Sequence, residues 1–126
     1  MNILFLDDSD RRCKTFKSNF PSADIVNTAE EAIKAMQHTH YDLICLDHDL
    51  GGEQMADTKG KNTGSEVVRH MIKNPHPAKA IVIHTHNPPA GNQMVMALMK
   101  HYDGVYRYTF GPVMLMMTGQ ILDEMG

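Results

Sequence analysis

The chain has 126 residues, enough for one domain with a real core and too few for two ordinary ones. Hydrophobic residues make up 42% and charged residues 21%, and the formal net charge of -3 leaves no basic footprint for long duplex nucleic acid. No apolar stretch reaches the roughly 20 residues that a membrane span requires, and Met1 leads into a strand-like run instead of a signal segment.

Residues 2–7, with the run Ile3-Leu4-Phe5-Leu6, predict a strand that ends on Asp7-Asp8. Asp8, Ser9 or Asp10 can cap the helix that follows, whose buried stripe is Cys13, Phe16 and Phe20, and Pro21 ends it. Residues 23–27 make a second short strand. Thr28 and Glu31 then have capping-box spacing ahead of a helix with Ala32, Ile33 and Met36 on one face. Residues 42–47 are the third strand, apolar enough to be buried on both faces, and they run into Asp47-His48-Asp49.

A polar loop extends from His48 to about Asn62, a length unusual for a plain connection, and contains Gly51-Gly52 and Lys59-Gly60-Lys61. Thr63 and Glu66 repeat the capping spacing before a helix with Val67, Val68, Met71 and Ile72 inward, and Asn74-Pro75-His76-Pro77 stops it. Ala80 to His84 is the fourth strand, followed by Thr85-His86-Asn87. Pro88-Pro89 opens a helix with Met94, Val95, Leu98 and Met99 facing inward, and residues 104–108 make the fifth strand. Gly111-Pro112 starts a last helix carrying Met114, Met117, Ile121 and Met125. The eleven methionines read as flexible core filling, and Cys13 and Cys45, without metal or disulfide spacing, as buried small residues of a protein in a reducing cytoplasm. Five strands and five helices in strict alternation make residues 1–126 a single α/β domain with a parallel sheet covered on both faces.

In such a sheet the carboxyl ends of the strands share one edge, and ligands bind there. Asp7, Asp8, Asp47 and Asp49, with His48, His84 and His86, can therefore converge from distant parts of the chain. Asp7, Asp8 and Asp47 make an all-oxygen site suited to Mg²⁺ or Mn²⁺, and adding His48 or His84 shifts the preference toward Mn²⁺, Fe²⁺ or Zn²⁺. Asp8 serves either as a ligand or as a helix cap; Asp49 is either a second ligand or a holder of the Gly51-Gly52 turn. Asp47 carries the most weight, because a carboxylate directly after Leu43-Ile44-Cys45-Leu46 gains nothing from packing.

His48 projects away from its neighbours if the chain stays extended, which suits a general acid or base. His84 and His86 fall on one side of an extended strand end and Thr85 on the other, so a shared pocket needs a turn at Thr85; His84 also reads as a hydrogen-bonded core histidine. Asn87 can cap the helix after it or hold a phosphate. Arg11 and Arg12 lie one turn past the acidic pair, where either can reach a phosphate at the strand ends or simply be solvated. Lys59 and Lys61 can close over an anion or form a polar loop tip. The other histidines, at 38, 40, 70, 76 and 101, read as surface residues.

Five βα units with an acidic pair after the first strand and an aspartate closing the third resemble the receiver domain of two-component response regulators across the whole chain. The resemblance implies a flavodoxin-like (βα)5 three-layer sandwich, receiver-like, with Asp7 and Asp8 holding Mg²⁺, Asp47 accepting a phosphoryl group and Thr85 as the hydroxyl residue. The lysine that family carries after the fifth strand is missing from Gly104-Val105-Tyr106-Arg107-Tyr108-Thr109-Phe110-Gly111-Pro112, and Arg107 presents its charge on a different geometry. Four separated blocks, Leu6-Asp7-Asp8, Leu46-Asp47-His48-Asp49-Leu50-Gly51, Thr63-Gly64 and His84-Thr85-His86-Asn87-Pro88, are similar to a narrower group, the cyclic-phosphate processing receiver-like domains.

That narrower resemblance implies a metal-dependent phosphoesterase-like activity on cyclic or terminal phosphates of nucleotides or RNA ends. Asp7, Asp8, Asp47 and Asp49 would then hold Mg²⁺ or Mn²⁺, while Asp47, His48, His84 and Thr85 would carry the chemistry. Arg11, Arg12, His86 and Asn87 would bind phosphate. The alternatives are a phosphoacceptor switch with Asp47 as acceptor, and a module that binds a small phosphorylated ligand without turnover.

Overall fold

The computed structural model describes residues 1–50 and 60–126. The Gly51-Gly52 turn and Lys59 lie outside the described residues. In chain order the elements are β1 (Ile3–Leu6), α1 (Asp10–Asn19), β2 (Asp24–Val26), α2 (Ala29–His38), β3 (Leu43–Leu46), α3 (Gly64–Lys73), β4 (Ala80–Ile83), α4 (Pro88–Met99), β5 (Val105–Arg107) and α5 (Pro112–Met125).

The strands pair in parallel in the order β2-β1-β3-β4-β5. The chain steps outward from β1 to β2 and then returns to β3 on the other side of β1. Helices before and after that reversal therefore cover opposite faces, and the sheet acquires a switch point between β1 and β3. Side-chain alternation divides the core accordingly. Leu4, Leu6, Ile44, Leu46, Ile81 and Ile83 pack with residues of α2, α3 and α4, including Ala32, Val67, Met71 and Leu98. Ile3, Phe5, Leu43, Cys45 and Val82 face the other way onto Cys13 and Phe16 of α1 and Met114 and Ile121 of α5. This is the parallel sheet covered on both faces that the alternation predicts, and the flavodoxin-like three-layer sandwich that the resemblance implies; β1, β3 and β4 are buried along their whole length.

The helix starts follow from their caps. Ser9 is the residue that caps α1, its hydroxyl accepting from the Arg12 N–H at 3.3 Å. Thr28 and Glu31 form a complete capping box at α2. At α3 Thr63 accepts from the Glu66 N–H, while the Glu66 carboxylate turns to Arg69 at 2.7 Å. Asn87 caps α4 ahead of Pro88 and Pro89.

Two readings of the sequence need correction. Met99, expected inside, is exposed, as are Met96 and Met116, so the methionines are not confined to the core. His76, expected on the surface, is buried, and its Nε2 accepts from the Tyr41 N–H at 2.9 Å. The His76 N–H also donates to the Tyr102 hydroxyl at 3.1 Å, so both its ring and its backbone are held in the loop before β4. No helix among the described residues is long and apolar enough to cross a membrane.

Candidate functional site

Leu6, Leu46 and Ile83 form one paired row across β1, β3 and β4. The ladder continues one residue further, with the Asp47 N–H donating to the Leu6 carbonyl and the His84 N–H to the Leu46 carbonyl, each at 3.0 Å. Asp7, Asp47 and His84 are thus the next row, at the carboxyl edge and on the switch point. Carboxylate oxygens of Asp7, Asp8 and Asp47 lie within 4.8 Å of one another, and among the described residues this is the group of three that could hold a metal ion. Asp7 is fully buried and Asp47 nearly so, while Asp8 is half-buried and opens the cluster to solvent.

Asp7 is held from several directions. Its carbonyl accepts from the Asn27 side-chain amide at 2.9 Å and from the Cys13 thiol at 3.2 Å, and its Oδ1 accepts from the Ser9 N–H at 2.8 Å. Cys13 therefore does more than fill space, and burial followed by the Asp7 charge pushes its thiol pKa up to about 11, which keeps it protonated. The remaining reach of the Asp7 carboxylate is taken by Arg12. Its Nε donates to Oδ2 at 2.8 Å and its Nη2 to Oδ1 at 3.0 Å, while Nη2 also lies 3.5 Å from Asp47 Oδ2. Arg11, one residue earlier, is exposed.

Asp47 is the perturbed acid of the site. Burial, then the Asp7 charge, pushes its pKa up to about 7, against the opposing pull of the His48 N–H, Arg12 and the Thr85 hydroxyl. The His48 N–H donates to Asp47 Oδ1 at 2.8 Å, and Thr85 Oγ1 accepts from the Asn87 N–H at 3.1 Å. The turn that a shared pocket requires at Thr85 is made by that bond. It leaves His84 on the α1/α5 side and Thr85 on the α4 side, both bordering the carboxylates.

Asp49, expected as a further metal ligand, is engaged elsewhere. Its Oδ1 sits 2.7 Å from His48 Nδ1 and accepts from the Asn87 amide at 3.0 Å. His48 is completely buried, and its Nε2 has no hydrogen-bond partner among the described residues. The sequence places Asp47-His48-Asp49 together; the structure divides them between the triad and a second polar cluster with Asn87.

His84 stacks on Phe5 with ring centroids 4.7 Å apart and planes 6° from parallel, and Phe110 meets it edge-on at 6.0 Å. Its Nδ1 is 3.7 Å from Asp7 Oδ2, too long for a hydrogen bond, and neither ring nitrogen has a hydrogen-bond partner among the described residues. Burial pushes its pKa down to about 4 despite the nearby Asp7, so it is neutral at ordinary pH. His86 is exposed, and Lys61 is exposed beside α2. Arg107 lies against the start of α4: a Cβ on Gly91 would come within 2.6 Å of its Nε.

The donor set fits a hard divalent cation. It is all oxygen, and of the two causes that raise the Asp47 pKa, burial first and the Asp7 charge second, the second is a repulsion that such an ion relieves. Sequence reasoning named Arg12 but missed its two-pronged grip on Asp7. The signal available was only the five-residue separation of Asp7 and Arg12 around a capping serine.

A five-stranded parallel sheet in this order, with an acidic triad at the β1/β3 switch point and a hydroxyl residue after β4, defines a receiver domain of the response-regulator type. Residues 2–100 match the family described as the cyclic-phosphate processing Receiver domain, and the chain belongs to that family. Solved receiver domains are similar over nearly the whole chain. The response regulator TrrA of Thermotoga maritima, in complex with Mg²⁺-BeF, has a TM-score of 0.71 at 19% identity, covering 97% of this chain and 96% of that one. A CheY-like receiver domain of Methylobacillus flagellatus has a TM-score of 0.69 at 16% identity, covering 100% and 98%. The receiver domain of a LuxO repressor protein of Vibrio parahaemolyticus has a TM-score of 0.68 at 17% identity, covering 95% and 87%. Comparison with curated proteins finds no match.

Proposed function

We propose that the domain is a metal-dependent phosphoacceptor, with Asp47 as the residue that receives a phosphoryl group. The observation that carries this reading is the closeness of the Asp7, Asp8 and Asp47 carboxylates at the sheet edge with Thr85 alongside Asp47. Asp7, Asp8 and Asp47 would hold the ion, and we take it as Mg²⁺, which all-oxygen donors suit as they also suit Mn²⁺. The Mg²⁺-BeF complex of the Thermotoga TrrA domain supports the same choice. A bound divalent ion supplies positive charge against the non-bridging phosphoryl oxygens and favours the ionised form of the acids.

In the transfer, an Asp47 carboxylate oxygen bonds to the phosphorus of a small phosphodonor as the bond from phosphorus to the leaving oxygen or nitrogen breaks. The leaving group takes that electron pair and a proton from solvent. Thr85 would then donate its hydroxyl to a phosphoryl oxygen.

A second reading is hydrolysis of a cyclic or terminal phosphate, in keeping with the family's description. The observation that favours it is a pair of buried imidazoles with unpartnered ring nitrogens, His48 and His84, for which a phosphoacceptor has no use. One experiment separates the two. The protein is incubated with Mg²⁺ and acetyl phosphate, and in parallel with Mn²⁺ and a panel of 2′,3′-cyclic and 3′,5′-cyclic nucleotides, each repeated with Asp47→Asn. Covalent labelling seen in the intact mass, lost in Asp47→Asn and without diester cleavage, is the expected result. Diester cleavage without labelling would replace the acceptor reading by the hydrolytic one.

A further inference from the structure

Arg12 raises a question of occupancy that the acidic triad alone does not. The Ser9 N–H and Arg12 Nη2 together use Asp7 Oδ1, and Arg12 Nε occupies Oδ2. The same guanidinium reaches Asp47 Oδ2, the second buried carboxylate of the triad. Partial burial opposes its charge, yet the Asp7 hydrogen bonds and the charges of Asp7, Asp47 and Asp8 outweigh that and raise its pKa further. A full positive charge is therefore seated among the three carboxylates that suit a divalent ion.

We propose that Arg12 is a tethered cation that competes with the divalent ion for Asp7, so that metal binding requires the guanidinium to leave Asp7 and turn toward the open rim beside Asp8. Two features of the chain support the exchange. Arg12 stands in the first turn of α1 and its side chain is 21% exposed, so a rotation about its side-chain bonds carries the charge to solvent without disturbing the sheet. Asp7 itself keeps its Asn27 and Cys13 contacts, which hold its backbone carbonyl, and the Ser9 N–H, which holds carboxylate Oδ1 for either partner. The released guanidinium, planar and always charged, lies at the mouth where a phosphoryl group would arrive, and presents paired donors to its oxygens. Arg12 thus sets the metal affinity of the site and couples ion binding to the delivery of an anion ligand. This rests on the metal-dependent reading above.

The test is Mn²⁺ binding, followed through the signal of the free ion in paramagnetic resonance, on wild-type protein and Arg12→Gln. The variant is expected to bind Mn²⁺ about tenfold more tightly or better, and to melt at a lower temperature than wild type in a chelating buffer. Equal or weaker binding by Arg12→Gln would overturn the competition while leaving the metal site intact. Binding by neither protein would remove the metal-dependent reading and this proposal together. A measurement on the wild type covers the case in which the variant does not fold: in a Mg²⁺ titration the nitrogen-bound Nε proton of Arg12 is expected to shift and to exchange faster with water. An unmoved Arg12 signal, while the amides of Asp8 and Asp47 respond, would overturn the proposal.

Discussion

Gly64 stands so close to Asp47 that a Cβ on it would lie 2.1 Å from the Asp47 carbonyl oxygen, and a Gly64 N–H to His48 carbonyl bond of 3.0 Å fixes that approach. The first residue of α3 is therefore pressed onto the peptide that carries the Asp47 carboxylate. The obstacle is backbone, so a side chain cannot be accommodated by a rotamer change. Gly64→Ala is expected to cost roughly 2–4 kcal/mol in urea unfolding and to weaken divalent-ion binding. Gly119, in α5, has nothing within 4 Å of its Cβ position. Gly119→Ala should instead stabilise by about 0.5–1 kcal/mol, since only helix propensity changes. Equal effects of the two substitutions would show that the Asp47 contact carries no constraint.

The acidity of Asp47 gives a pH dependence with a definite sign. Its folded-state pKa of about 7 lies above the ordinary value of 3.8, so the folded protein binds this proton more tightly than the unfolded chain. The stabilisation is complete below the ordinary value and is lost as the pH rises through the folded one. Asp47→Asn does not titrate. Its stability relative to wild type should climb across that window and level off above it, by about 1–3 kcal/mol in the presence of a chelator. Urea denaturation across that range checks the slope, and a flat difference would mean that Asp47 is not held near neutrality.

Much of this architecture is readable from the residue pattern because it is local. Short uninterrupted runs such as Leu43-Ile44-Cys45-Leu46, bounded by polar residues, read as strands buried on both faces, and Thr28 with Glu31 specifies its own helix start. The meeting of Asp7, Asp8 and Asp47 follows from topology, since parallel strands share an edge. Pairings that depend on side-chain direction do not follow. Asp49 goes to His48 and Asn87, and Arg12 to Asp7, because the backbone turns after each strand decide where those groups point. His76 was hidden for the same reason: a histidine between two prolines reads as surface until the Tyr41 N–H is found beneath it.

His84 should show the opposite pH behaviour to Asp47. Burial holds its pKa at about 4, below the ordinary 6.5, so its contribution is complete above the ordinary value and is lost as the pH falls through the folded one. Between those limits the Asp47 and His84 slopes oppose each other, and wild-type stability should vary little. His84→Leu removes the imidazole and leaves Asp47 alone. The variant is expected to become more stable relative to wild type as the pH drops toward about 4, by roughly 1–3 kcal/mol. If the variant instead tracks wild type throughout, the imidazole is already protonated or solvated in the folded protein.

Asn87 joins two parts of the site, and its two roles separate by substitution. Its Oδ1 accepts from the Ala90 N–H at 3.3 Å as the cap of α4, and its amide donates to Asp49 Oδ1 at 3.0 Å. Serine can replace the cap but is too short to reach Asp49. Asn87→Ala is expected to lose roughly 1–2 kcal/mol in urea unfolding, with Asn87→Ser recovering about half or more of it. The Asp49 bond is then read from what serine fails to restore: in Asn87→Ser the Asp49 carboxylate that holds the His48 ring loses its Asn87 bond, and the His48 NMR signals should broaden. Identical losses for alanine and serine would assign the whole effect to Asp49 and none to the helix cap.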